Sequence, residues 1–168
     1  SEATFGKANV ELLNRLQYDA ATIGTNEGIT LPHQELDTLY DNAQFPVVVS
    51  NLFDEKGKRP GWAAPYVLKK VKSGATLAIL GVTVPYYPIY RQLGWTVADA
   101  FESIGEMLSE IKEKADTVIL LSHLGILDDQ RVAEAFPEID LILGSHTHHL
   151  LEEGMMKDGV MLACAEKY

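Results

Sequence analysis

Apolar positions along the chain switch repeatedly between the unbroken or two-residue spacing of strands and the three- and four-residue spacing of helices. Val10, Leu13 and Leu16 share one face of a helix predicted over residues 8–16. Residues 19–23 predict a short buried strand that stops at Gly24. A second helix is expected next, with Pro32 in its first turn and Leu36, Leu39, Tyr40 and Ala43 facing inward. Residues 45–50 predict a second strand, and 54–61 a charged, exposed turn region. Residues 64–71 and 75–82 predict a hairpin with Ser73-Gly74 at its tip. The longest helical pattern, 97–115, places Ala98, Phe101, Ile104, Leu108 and Ile111 on one face. A fully apolar strand at 117–121, a short helix at 128–136 and strands at 140–143 and 160–164 complete an alternating α/β order.

Composition narrows the class. The chain has 168 residues, 46% of them apolar, which suits a single domain. With 14 basic and 24 acidic side chains the net charge is −10, against a nucleic-acid polymer or an anionic membrane as main partner. A single cysteine, Cys164, excludes an internal disulfide and a multi-cysteine zinc site. It is expected to be buried and fits a cytoplasmic setting somewhat better than an exported one. No apolar run approaches the roughly 20 residues needed to span a bilayer, and residues 1–6 show no signal-peptide pattern. Both ends read as cut, one entering a helix almost at once and the other stopping after a strand. The expectation is therefore one partial domain over 1–168.

Three loops follow the carboxyl ends of apolar runs, where open α/β sheets place ligands. They are Gly24-Thr25-Asn26-Glu27-Gly28, Ser122-His123-Leu124-Gly125 and Gly144-Ser145-His146-Thr147-His148-His149. Imidazole is a good ligand for zinc, iron and similar cations. On extended backbone His146 and His148 project to one side and can converge with His123. Plainer readings remain open: His123 bonded to backbone, His146 and His148 exposed in a loop, His33 facing solvent, and His149 supporting a ligand from outside or lying on the surface. Glu27 is open between a ligand, an outer acceptor and a helix-terminal carboxylate. No P-loop, G-x-S-x-G or dinucleotide fingerprint occurs.

Tyr18 to Glu27, Ser122-His123-Leu124-Gly125 and Gly144-Ser145-His146-Thr147-His148, in that order, resemble motifs of the calcineurin-like metallophosphoesterases. The branch they are most similar to comprises 5′-nucleotidases and 2′,3′-cyclic-nucleotide phosphodiesterases. The resemblance spans nearly the whole chain, including residues 45–52 and 78–83. It implies a four-layer α/β/β/α sandwich, incomplete at its N-terminus. It further implies two divalent ions (Mn, Zn or Fe) that assist in-line hydrolysis of a small phosphate ester. His123 and His146 would serve one ion and His148 the other.

Departures from the family pattern matter as much. Thr25 stands where the family has a metal-binding asparagine, and a neutral hydroxyl is a poorer ligand. Asn26 stands where a histidine often protonates the leaving group, and an amide contacts phosphate without yielding a proton. Ile29 replaces a common aspartate. The family's aspartate–x–histidine and glycine–aspartate–x–x–aspartate motifs occur nowhere in the 168 residues, so this polypeptide alone is expected to be inactive. The first reading is a metal-dependent phosphoesterase for nucleotides or related esters. The others are a degenerate, non-catalytic metal- or nucleotide-binding member and an unrelated domain with structural histidines.

Overall fold

The structure, a computed structural model, describes residues 6–25, 31 and 33–166. Among them the helices are α1 (Lys7–Arg15), α2 (His33–Leu39), α3 (Tyr87–Gln92), α4 (Ala100–Ile111) and α5 (Ile126–Ala135). The strands are β1 (Val47–Val48), β2 (Leu52–Asp54), β3 (Ala63–Ala64), β4 (Tyr66–Lys70), β5 (Thr76–Thr83), β6 (Trp95–Val97), β7 (Thr117–His123), β8 (Leu141–Gly144), β9 (Met155–Lys157) and β10 (Val160–Cys164).

A six-stranded sheet in the order β4-β5-β7-β8-β10-β9 forms the centre. Its four middle strands are parallel, and β4 and β9 flank them antiparallel. All carboxyl ends of the parallel strands therefore meet on one rim, which carries Thr83, His123 and Gly144. One face of the sheet packs against α4 and α5. Leu80, Leu120, Ile142 and Leu162 from the strands bury against Ile104, Leu108 and Val132 from the helices.

Toward β5 the other face meets the two-stranded sheet β1-β3, and outside that lie α1 and α2, which bury Val10, Leu36 and Leu39 against Val47 and Val49. This gives the expected order of helix, sheet, sheet and helix, with only a narrow second sheet. Gly81 marks where the sheets touch. The Ser50 amide donates to the Gly81 carbonyl at 2.6 Å, and a Cβ at Gly81 would run into the Val48 carbonyl oxygen. Beyond β1 and β3, Leu143 and Met161 on the same face are exposed among the described residues.

Several local expectations change. Residues 19–23 do not extend into a strand; Ala21 forms an isolated parallel bridge to Val47. The expected strand at 45–50 narrows to Val47–Val48. Leu16 is exposed beyond the end of α1. The long helix starts at Ala100, because the Asp99 side chain caps it by accepting the Glu102 amide at 3.0 Å. Val97 belongs instead to β6, paired with Leu52 of β2. In the charged turn region, Pro60 is buried and the Arg59 guanidinium reaches the Val49 and Ser50 carbonyls. Pro32 lies outside the described residues. Among the described residues no helix is long and apolar enough to cross a membrane.

Candidate functional site

Parallel pairing of β7 with β8 brings Ser122 opposite Gly144, so the loops that follow leave the sheet side by side. The Ser145 amide donates to the Ser122 carbonyl at 3.0 Å and continues the ladder one residue further. Thr147 then fastens the second loop to α5. Its hydroxyl accepts the Ile126 amide at 3.1 Å, capping a helix whose own N-cap residue, Gly125, has no side chain. A Cβ on Gly125 would stand 2.7 Å from Thr147 Cγ2, and Gly125 also sits at φ 98°, so glycine is required there twice over.

These constraints put His123 and His146 ring to ring, with centroids 5.0 Å apart and planes at 60°. His146 and His148 do not lie on extended backbone as their spacing suggested; both adopt left-handed conformations, φ 74° and 52°. Such angles are uncommon outside glycine and are held here by the Thr147 anchor and the bond from the Thr147 amide to the Ser145 carbonyl. His148 is exposed. It is close enough to act electrostatically on His123, but less strongly than His146 does.

Each ring of the pair has one nitrogen engaged by a hydroxyl. His123 Nδ1 lies 2.7 Å from Ser145 Oγ, and the Ser145 hydroxyl lies 3.1 Å from the Ser122 carbonyl. His146 Nε2 lies 3.1 Å from the Tyr86 phenol oxygen, whose ring stands edge-on to the imidazole. Burial, and after it the neighbouring His146 and His148, together push the His123 pKa down to about 4. His123 is therefore neutral through the physiological range, the state in which imidazole binds cations.

Thr25 reaches this pair through its backbone: its amide donates to His123 Nε2 at 3.2 Å. That bond joins the first loop to the second, and a cation on Nε2 would have to displace it. Asn26 and Glu27 lie outside the described residues. Among the described residues no group of three His, Cys, Asp or Glu side chains is arranged to hold a metal. The donor chemistry nevertheless fits a divalent cation, because two neighbouring imidazoles, one held neutral by burial, supply two nitrogen ligands.

Beneath the pair lies a group that sequence reasoning missed. Asp129 of α5 is 1% exposed and accepts a hydrogen bond from the Ser122 hydroxyl. Burial pushes its pKa up to about 7, with the Ser122 bond opposing the rise. Its other carboxylate oxygen occupies the space that a Cβ on Gly144 would need. The visible signal was an acid on the buried face of α5, three residues after Ile126 and before Val132. His33 is half exposed and stacks edge-on against Trp95 with centroids 4.0 Å apart. His149 is exposed and bonds Thr147 Oγ1 at 2.9 Å, and Cys164 is buried as expected.

Comparison with known proteins gives the same picture. No family model matches the chain. A Bacillus subtilis (strain 168) protein, "Uncharacterized metallophosphoesterase YunD", is 68% identical over 168 residues, covering 100% of this chain and 36% of its own length. The snake venom 5′-nucleotidase of Naja atra is 27% identical over 163 residues, 89% of this chain and 29% of the relative. The crystal structure of a 5′-nucleotidase precursor from Thermus thermophilus superposes with a TM-score of 0.82 at 25% identity, over 96% of this chain and 36% of that one. The chain thus spans about a third of the length of these relatives.

Fold and imidazole pair together define a metallophosphoesterase-type α/β/β/α domain. Within that class, the chain is similar over its whole length to a metallophosphoesterase and, at lower identity, to proteins of the calcineurin-like 5′-nucleotidase branch.

Proposed function

We propose that residues 1–168 are part of the catalytic domain of a metal-dependent phosphoric ester hydrolase acting on nucleotides or related small phosphate esters. The observation that carries this reading is the adjacency of His123 and His146, with His123 held neutral at the rim of the parallel strands. His123, His146 and His148 would serve as ligands, Thr25 as a weaker one, and Asn26 as a phosphate contact. Divalent cations, when bound there, supply charge neutralisation at phosphorus and an activated water. The remaining donors would come from polypeptide outside these residues, since the chain contains neither Asp-x-His nor Gly-Asp-x-x-Asp. The 168 residues alone would then not turn over substrate.

Chain residues set the rest of the chemistry. Ser122 and Ser145 hold the His123 ring in place, and Thr147 holds the loop of His146 against α5. The Asn26 amide can donate to a phosphoryl oxygen but gives up no proton, so the leaving oxygen departs without help from that position. General acid catalysis is worth about 10²–10⁴-fold, so good leaving groups are favoured. The test is turnover by the intact protein, with manganese or zinc, of nucleoside monophosphates, cyclic nucleotides and p-nitrophenyl phosphate. Metal-dependent hydrolysis abolished by His123→Ala and His146→Ala is expected. No turnover of any phosphate ester, or turnover indifferent to both substitutions, overturns the proposal.

A second reading, a non-catalytic member that binds a nucleotide or a cation, draws on Thr25, which meets His123 through its backbone amide. Tight nucleotide binding by calorimetry with no hydrolysis would favour it.

A further inference from the structure

His123 and His146 each offer two nitrogens, and the hydrogen bonds around them sort which one stays available. The Thr25 amide can only donate, so His123 Nε2 must carry the lone pair. In the neutral ring Nδ1 then carries the proton and donates to Ser145 Oγ, 2.7 Å away. The Ser145 hydroxyl proton goes to the Ser122 carbonyl at 3.1 Å, so every donor in the relay has an acceptor. This relay fixes both the orientation and the tautomer of His123.

His146 has its counterpart in Tyr86, which comes from a different part of the chain. Tyr86 follows β5, whose end is held by buried Asn51: its side chain accepts the Thr83 amide at 3.0 Å and donates to the Thr83 carbonyl at 2.9 Å. Beyond Tyr86, the fully buried Tyr90 meets Thr83 Oγ1 at 3.3 Å. Tyr86 is thus presented from a segment anchored on both sides, and its phenol oxygen lies 3.1 Å from His146 Nε2.

We propose that Ser145 and Tyr86 are positioning residues that select which nitrogen of each imidazole carries the lone pair, leaving Nε2 of His123, once it exchanges the Thr25 amide for the ion, and Nδ1 of His146 for a divalent cation. His146 Nε2–H donates to the Tyr86 oxygen, and the partly exposed phenol turns its own proton toward solvent. The inference rests on the reading of the pair as cation ligands. It extends that reading to two hydroxyls which the motif pattern did not single out. Ligating imidazoles commonly donate their second N–H to such a partner, and losing the partner typically costs 10–100-fold in metal affinity.

The experiment uses the intact protein, metal-free and labelled with ¹⁵N-histidine. Long-range ¹H–¹⁵N correlation reads each tautomer, and calorimetry with Mn²⁺ reads affinity. Wild type should show His123 protonated on Nδ1 and His146 on Nε2. Ser145→Ala, which leaves the Thr25 amide alone to hold Nε2 unprotonated, should raise the Nε2–H fraction of His123, and Tyr86→Phe should mix the tautomers of His146. Each should weaken Mn²⁺ binding about 10–100-fold. Ser145→Thr should restore the first, and the metal-free melting temperature should hold for Tyr86→Phe, a partly exposed site that carries the test if Ser145→Ala fails to fold. Unchanged tautomers and Mn²⁺ affinity in both variants, while His123→Ala and His146→Ala abolish binding, overturn the positioning role and leave the ligand reading standing. Mn²⁺ binding indifferent to His123→Ala and His146→Ala overturns both.

Discussion

Asp129 accepts a hydrogen bond from the Ser122 hydroxyl directly below the histidine loops, and both residues are 1% exposed. Removal from water, more than any neighbouring charge, raises the carboxyl pKa from 3.8 to about 7. A carboxyl whose folded pKa is raised stabilises the fold most below its unfolded value, and that contribution is lost as pH rises through the folded value. Asp129 should therefore make the intact protein lose stability between about pH 4 and 7. Asp129→Asn keeps the shape, removes the titration and should flatten this part of the profile, measured as urea midpoints against pH.

His123 should titrate in the opposite sense. Its pKa is lowered from 6.5 to about 4, so its contribution is full above 6.5 and is lost as pH falls through 4. Burial is the larger cause and His146 the next. In His146→Ala, the His123 resonance followed by NMR should titrate above its wild-type position yet still below 6.5. Full recovery to the ordinary value would show that burial contributes nothing.

Gly81→Ala should be among the most damaging small substitutions in the chain. Its new methyl would meet the Val48 carbonyl oxygen where the two sheets touch, and backbone cannot swing aside as a flexible side chain can. A cost of at least about 1–3 kcal/mol is expected from such overpacking, read as a shifted urea midpoint. The same substitution at Gly61, where a Cβ would meet nothing within 4 Å, serves as the control for surface position.

The fully buried Asn51 side chain makes three hydrogen bonds, two to the Thr83 backbone and one to the Ala98 carbonyl at 3.3 Å. Asn51→Ala strands the Thr83 amide and two carbonyls and should cost at least about 2 kcal/mol. Because Thr83 leads into the segment that carries Tyr86, the His146–Tyr86 contact should loosen as well. Retained wild-type stability would contradict this account of the β5 terminus.

Long or strongly patterned elements were legible from the chain alone. The β4–β5 hairpin, β7, β8, β10 and the core of α4 follow from runs such as Thr117–Leu121 and from helical spacing at Ile104, Leu108 and Ile111, which local chemistry suffices to specify. Elements of two or three residues were not. Trp95–Val97 carries no pattern of its own and becomes a strand only because Leu52 and Phe53 lie beside it. The strand expected at residues 19–23 shrank to one bridge at Ala21, paired with Val47, because a run this short depends on its neighbours for pairing.

The candidate site divides along the same line. Residue type and motif order alone singled out His123, His146 and His148, because imidazoles after apolar runs are a local feature. Tertiary structure decided what those rings do. Parallel pairing of Ser122 with Gly144 set His123 against His146, while the left-handed backbone at positions 146 and 148 left His148 exposed. It also brought in Asp129, whose place on the buried face of α5 was its one visible signal, and Ser145 and Tyr86, which spacing could not nominate. Protonation state, tautomer and ring orientation depend on burial and on hydrogen-bond partners as many as 98 residues away, as with Thr25 and His123. Those quantities exist only once the chain has closed on itself.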